Sequence, residues 1–124
     1  MHPVRVLVVD DQEVFRRVMS AVVEQTEGFV VVGCAGSGEE SILTAGVLRP
    51  DLVLMDVNLP GIDGMEATRR LRADTTAAPT VVLLSTYDED DWGGQAQECG
   101  AVAYVAKAAF GPDRLRAVWA MAGV

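Results

Sequence analysis

Four short apolar runs in this chain each end in a residue that can carry charge or donate a hydrogen bond. Val6-Leu7-Val8-Val9 ends in Asp10-Asp11, and Leu52-Val53-Leu54-Met55 ends in Asp56, with Asn58-Leu59-Pro60-Gly61 close behind. Val81-Val82-Leu83-Leu84 ends in Ser85-Thr86, and Val102-Ala103-Tyr104-Val105-Ala106 ends in Lys107. Short, fully apolar strands of this kind belong to parallel sheets, and open parallel sheets bind ligands outside the carboxyl ends of their strands. Three acids, a hydroxyl and a lysine are therefore expected at one sheet edge.

If the first and third strands are neighbours, Asp10, Asp11 and Asp56 crowd together. Two carboxylates about 4 Å apart repel by roughly 4 kcal/mol at an effective dielectric near 20. A fold tolerates that crowding when a divalent cation neutralises it. Carboxylate, carbonyl and water oxygens favour hard cations, and few protein ligands with room for phosphate favour Mg²⁺. An aspartate beside such a cation can act as a nucleophile toward phosphorus. The negative charge spreading over the transferred phosphoryl oxygens then needs cations and hydrogen-bond donors. Lys107 supplies a mobile positive charge and Ser85 a hydroxyl, so only a phosphate donor is missing.

The elements that must position these groups alternate along the chain. Strand patterns fall at about residues 4–9, 29–35, 52–56, 80–85 and 102–106. The first helix spans about 12–26, with Val14, Phe15, Val18, Met19, Val22 and Val23 at helical spacing and Gly28 closing it. Ser37 reads as the N-cap of a second helix, with Glu40 three residues later, running to about Leu48 before Pro50. A third helix covers about 63–73. A fourth should start near Asp88 and close at Gly100, with Gly93-Gly94 weakening its middle. A fifth opens at Gly111-Pro112-Asp113 and carries Leu115, Val118 and Trp119. Strands alternating with helices imply right-handed crossovers and an α/β parallel sheet covered on both faces.

Composition narrows the function classes. The 124 residues predict a single domain, 1–124, with a core of about 4–122. A net charge of −8, from 18 acids against 10 bases, disfavours nucleic-acid binding by this domain alone. No apolar stretch approaches the roughly 20 residues that span a bilayer, and no leader pattern precedes the first strand, so a cytoplasmic location without membrane contact is expected. Cys34 and Cys99 are too far apart to read as a metal or disulfide framework, and both are expected to be reduced and buried. His2 is the single histidine, which removes the raw material for His-based zinc sites and Ser-His or Cys-His catalysis.

The segments V-L-V-V-D-D, L-V-L-M-D-V-N-L-P-G-I-D-G, V-V-L-L-S-T-Y and A-Y-V-A-K, in this order and spacing, resemble the receiver domain of two-component response regulators. The resemblance runs from about Val4 to Val118 and implies a flavodoxin-like (βα)5 fold, doubly wound, with strand order 2-1-3-4-5. It implies that Asp56 is the phosphoacceptor, with Asp10 and Asp11 holding Mg²⁺ together with Asp56 and the backbone carbonyl of Asn58. Ser85 is then the switch hydroxyl, with Thr86 its competitor, Lys107 the phosphate-pairing cation, and Tyr104 the aromatic that changes rotamer on activation. Asp10 or Asp11 could instead cap the first helix. The implied partners are a sensor histidine kinase, an output domain or downstream protein, and a second copy of the domain in a homodimer. Such a domain catalyses its own phosphorylation and is not otherwise an enzyme.

Two features depart from the family pattern. Ala108-Ala109 stands where many receivers place a proline after the lysine, so that loop is held differently or held less firmly. Gly93-Gly94 lies in the element such domains use for signalling. These leave open a receiver that signals by protein contacts without phosphorylation. A Mg²⁺-dependent phosphohydrolase is disfavoured because Asn58 stands where its second acid belongs. A flavodoxin-type cofactor site is disfavoured because Asp10-Asp11-Gln12-Glu13 would repel a phosphate. The segment L-S-T-Y-D-E-D resembles receivers that precede a helix-turn-helix DNA-binding domain. No such output domain lies within 1–124, and a fragment of a transcription regulator is favoured over a stand-alone receiver.

Overall fold

The computed structural model describes residues 2–73, 78–86 and 96–122. The strands are β1 (Val4–Val9), β2 (Phe29–Ala35), β3 (Leu52–Asp56), β4 (Thr80–Ser85) and β5 (Ala103–Ala106). They form one sheet in the order β2-β1-β3-β4-β5, every neighbouring pair parallel. The helices are α1 (Glu13–Glu24), α2 (Gly38–Leu48), α3 (Gly64–Ala73), a helical turn α4 at 96–98, and α5 (Pro112–Met121). The expected start of a helix near Asp88 and the Gly93-Gly94 pair lie outside the described residues.

Side chains alternate across the sheet and build two cores. Leu7, Val9, Val53, Met55, Val81 and Leu83 face Met65 and Leu71 of α3 and Ala45 of α2. Val6, Val8, Leu54, Val82, Leu84 and Val105 face Met19 and Val23 of α1 and Leu115 and Val118 of α5. With both faces covered, β3 is buried throughout and β4 from Val81 onward, which is why their sequence shows continuous apolar runs instead of alternation.

Local signals account for the helix ends. Ser37 Oγ accepts from Glu40 N at 3.1 Å, and the Glu40 carboxylate turns back to accept from Gly36 N at 2.5 Å. Asp63 caps α3 by accepting from Glu66 N at 2.8 Å. Arg49 ends α2 in the left-handed region with φ 50°, a common helix-terminating conformation, its N–H donating to Ala45 O just ahead of Pro50. Where the sequence placed 12–26 in the first helix, α1 ends at Glu24, because Thr26 folds its hydroxyl back onto Val22 O at 2.7 Å and Gly28 turns the chain with φ +90°.

One burial expectation fails. Cys34 is exposed, because β2 is an edge strand; Cys99 is buried as expected. Val14 and Val18 share the helical spacing of α1 but face solvent. The apolar face of α1 is wider than its contact with the sheet, and only Met19 and Val23 are buried in full.

Candidate functional site

β1 and β3 are indeed neighbours, with Val9 in register with Met55, so the acids that follow them meet. Asp10 is completely buried and each of its polar atoms has a partner. Its N–H donates to Ala35 O at 3.1 Å, and its carbonyl accepts from Arg16 Nη1 at 2.7 Å. Its Oδ1 accepts from Gln12 N at 2.9 Å and its Oδ2 from Lys107 Nζ at 2.8 Å. The N-cap position of α1 falls on Gln12, which makes no side-chain cap bond; Asp10 binds the backbone just ahead of the helix, and neither acid serves as the N-cap.

Asp56 closes β3 and is 3 % exposed. It stands in register with Leu84 of β4, and Val57 N donates to Leu84 O at 3.0 Å. One carboxylate oxygen, Oδ1, accepts from Asn58 N at 3.4 Å and lies 3.5 Å from Lys107 Nζ. Asp11 is exposed, yet oxygens of Asp10, Asp11 and Asp56 all lie within 4.8 Å of one another. Burial, and then the charge of Asp10, push the Asp56 carboxyl from 3.8 up to about 6; Lys107 and the Asn58 N–H oppose that rise. One ammonium between two buried carboxylates therefore leaves the site short of positive charge.

Lys107 opens a 3₁₀ turn over Lys107–Ala109, with Phe110 N donating to Lys107 O at 3.2 Å. That turn is how the loop is held with Ala108-Ala109 in place of proline. The Lys107 side chain is 13 % exposed, and its ammonium sits 3.9 Å from the centroid of the Phe15 ring. Phe15 and Lys107, with Val18, Met19 and Phe110, line a cavity of about 300 Å³ beside the acids.

The remaining sequence-predicted residues lie at the same edge but deeper or further out. Ser85 ends β4 fully buried, in register with Ala106. Its competitor Thr86 is exposed and lines the cavity at Lys107. Tyr104 is 4 % exposed, turned into the core formed with Leu83. Asn58 is exposed, two residues beyond Asp56.

The chain matches the family model of the response regulator receiver domain over residues 6–120. It belongs to that family. The receiver domain is 40% identical over 115 residues to the response regulator GacA of Pseudomonas viridiflava, and 34% identical to the response regulator UvrY of Escherichia coli K12. Those matches cover 93% of this chain but 53% and 52% of the relatives, so it spans about half their length. Among solved structures it is similar to a two-component response regulator of the LuxR family from Aurantimonas sp. SI85-9A1, with 30% identity and a TM-score of 0.87 over 98% of this chain and 86% of that one. It is likewise similar to the response regulator domain of Thermotoga maritima CheB, with 28% identity and a TM-score of 0.84 over 99% and 98%. No helix among the described residues is long and apolar enough to cross a membrane.

Sequence reasoning missed three residues that shape this site. Phe15 was read only as an apolar position of α1, yet its ring covers the Lys107 ammonium. Arg16, one residue on, holds the Asp10 carbonyl. Glu39 at the start of α2 accepts from Ile62 N at 3.3 Å and so ties down the loop that follows Asn58. For Phe15 and Arg16 a signal existed, since both lie in the first turn of the helix that directly follows the acid pair.

Proposed function

We propose that this receiver domain is a phosphorylation-controlled switch in which Asp56 takes a phosphoryl group from a phosphohistidine of a sensor kinase. The observation that carries this reading is the convergence of three carboxylates within 4.8 Å, two of them, Asp10 and Asp56, bridged by one lysine. The donor set fits Mg²⁺: all-oxygen, anionic, and beside an ammonium that balances one charge of the three. Asp10, Asp11, Asp56 and the backbone carbonyl of Asn58 would hold the ion. When bound, it supplies the positive charge that phosphoryl oxygens and crowded carboxylates both need.

The chain's own groups do the rest. A carboxylate oxygen of Asp56 attacks phosphorus, an O–P bond forms, and the P–N bond to the donor imidazole breaks. The electron pair of that bond stays on the imidazole nitrogen, the ring leaving neutral because its other nitrogen already carries a proton, and Asp56 becomes an acyl phosphate. Lys107, 3.5 Å from Asp56 Oδ1, is placed to pair with the added anion. Ser85 is the hydroxyl that responds, and Tyr104, in register with Leu83 on the adjacent strand, is the aromatic that follows it. The shift reshapes the face of α4, β5 and α5 as a change of population between two states. Since the GacA and UvrY relatives are about twice as long, the output is a further domain, which we infer acts in transcription.

Intact-mass spectrometry after incubation with acetyl phosphate and Mg²⁺ tests this reading. One phosphoryl adduct is expected on the wild type, and none on Asp56→Asn or without Mg²⁺. An adduct that persists in Asp56→Asn would refute the assignment of the acceptor. No adduct on the wild type from either acetyl phosphate or a phosphorylated kinase would favour a receiver that signals by contacts alone.

A further inference from the structure

We propose that Phe15 is a positioning residue for the phosphoryl transfer, its ring face fixing the Lys107 ammonium over the acids; this rests on the switch reading above. Among the described residues Lys107 has three partners: Asp10 at 2.8 Å, Asp56 at 3.5 Å and the Phe15 ring at 3.9 Å from its centroid. A lysine side chain is a flexible four-carbon stem ending in a strongly hydrated point charge, and it gains little by staying in one place unless something holds it. Here the 3₁₀ turn fixes only its root.

The two carboxylates cannot supply a constant hold, because both are assigned to the cation and one becomes phosphorylated. As their charge is taken up, the attraction of Lys107 to each changes. The ring alone keeps the same attraction throughout, since the electron-rich face of an aromatic draws an ammonium without carrying a charge. An acid in its place would neutralise Lys107 and add to the repulsion, and a hydroxyl would compete for its N–H donors. The ring also belongs to the wall of the 300 Å³ cavity with Val18, Met19 and Phe110. Apart from Lys107 itself, Thr86 is the one polar residue of that wall, so without the ring the two carboxylates alone set where the ammonium sits.

The test compares Phe15→Leu, which keeps apolar bulk without a ring, with Phe15→Tyr, which keeps the face. With acetyl phosphate at saturating Mg²⁺, Phe15→Leu is expected to be phosphorylated about 3- to 10-fold more slowly, the range a partly exposed cation–π contact supports. Its apparent Mg²⁺ constant should be unchanged, since the ring is not among the groups assigned to the ion. Phe15→Tyr should recover most of the wild-type rate. In parallel, the Lys107 ε-methylene protons should show an upfield ring-current shift in wild type and Phe15→Tyr that disappears in Phe15→Leu. Equal rates in wild type and Phe15→Leu, or equal losses in both variants, would overturn the proposal. So would unshifted ε protons in the wild type, a readout that stands even if Asp56 were never phosphorylated. Far-UV circular dichroism separates a failure to fold from loss of the contact, and Phe15→Met then replaces an unfolded Phe15→Leu.

Discussion

Replacing Asp56 with asparagine should make the metal-free domain more stable. The carboxyl is raised from 3.8 to about 6 because burial and Asp10 outweigh Lys107 and the Asn58 N–H. The folded state therefore holds a proton more tightly than the unfolded chain does. Stability on this account is intact below about pH 4 and is lost as pH rises through 6. Full conversion of the shift gives about 3 kcal/mol of destabilisation at pH 7.5, about 1.6 at pH 5 and about 0.5 at pH 4. Solvent at the open sheet edge screens the site, and about half of the largest figure, roughly 1.5 kcal/mol, is the gain to expect. Asparagine removes the charge and keeps an oxygen toward Asn58 N, while Lys107 retains its 2.8 Å bond to Asp10. At about 0.26 kcal/mol per degree for 124 residues, the melting temperature of Asp56→Asn should lie about 6 °C above wild type at pH 7.5 in EDTA. The difference should shrink toward zero by pH 4. Saturating Mg²⁺ should narrow it too, because a ligand of the native state stabilises the wild type by mass action. A variant less stable than wild type at pH 7.5 in EDTA, or a gap that widens toward pH 4, would refute the reasoning.

Two other substitutions probe the same geometry. Lys107→Met leaves Asp10 buried without its ammonium and should cost on the order of 3 kcal/mol at pH 7.5, a loss that Mg²⁺ partly restores in thermal unfolding. Wild-type stability in EDTA would show that the ion pair does not hold Asp10. Gly64→Ala places a methyl group against the Asp56 carbonyl oxygen and backbone, where no flexible side chain can yield. It should cost about 1–3 kcal/mol and slow phosphorylation, whereas Gly46→Ala, inside α2 with open space around it, should leave phosphorylation unchanged and gain up to about 1 kcal/mol of stability.

Much of this architecture was legible because four of the five strands carry a short apolar run punctuated by a residue that cannot stay buried alone. Val6–Val9 and Leu52–Met55 disclosed both the sheet and its chemical edge, and Ser37 with Glu40 disclosed the start of α2. What stayed hidden depended on neighbours distant in sequence. Helical spacing gave Val14 and Val18 the same status as Met19, but burial depends on how far α1 extends past the sheet. Cys34 looked like a core residue until β2 proved to be the outer strand. The ring of Phe15 gained its role from a lysine 92 positions away (107 − 15), a pairing that no local pattern encodes. The 3₁₀ turn at Lys107–Ala109 replaces a proline-shaped loop by a different route, and only the backbone reveals it.

The contrast between the two thiols has a practical side. Cys34 stands in solvent on β2 at one margin of the sheet, while Cys99 is sealed beneath the opposite half. A thiol-directed fluorophore or spin label will thus mark one position of the native fold without any engineering. Four inter-strand steps of about 4.8 Å separate β2 from β5, so that label sits roughly 19 Å across the sheet from the strand carrying Tyr104. The natural sequence thus supplies an observation post well away from the acids, from which movement at the far margin can be followed as a change in distance.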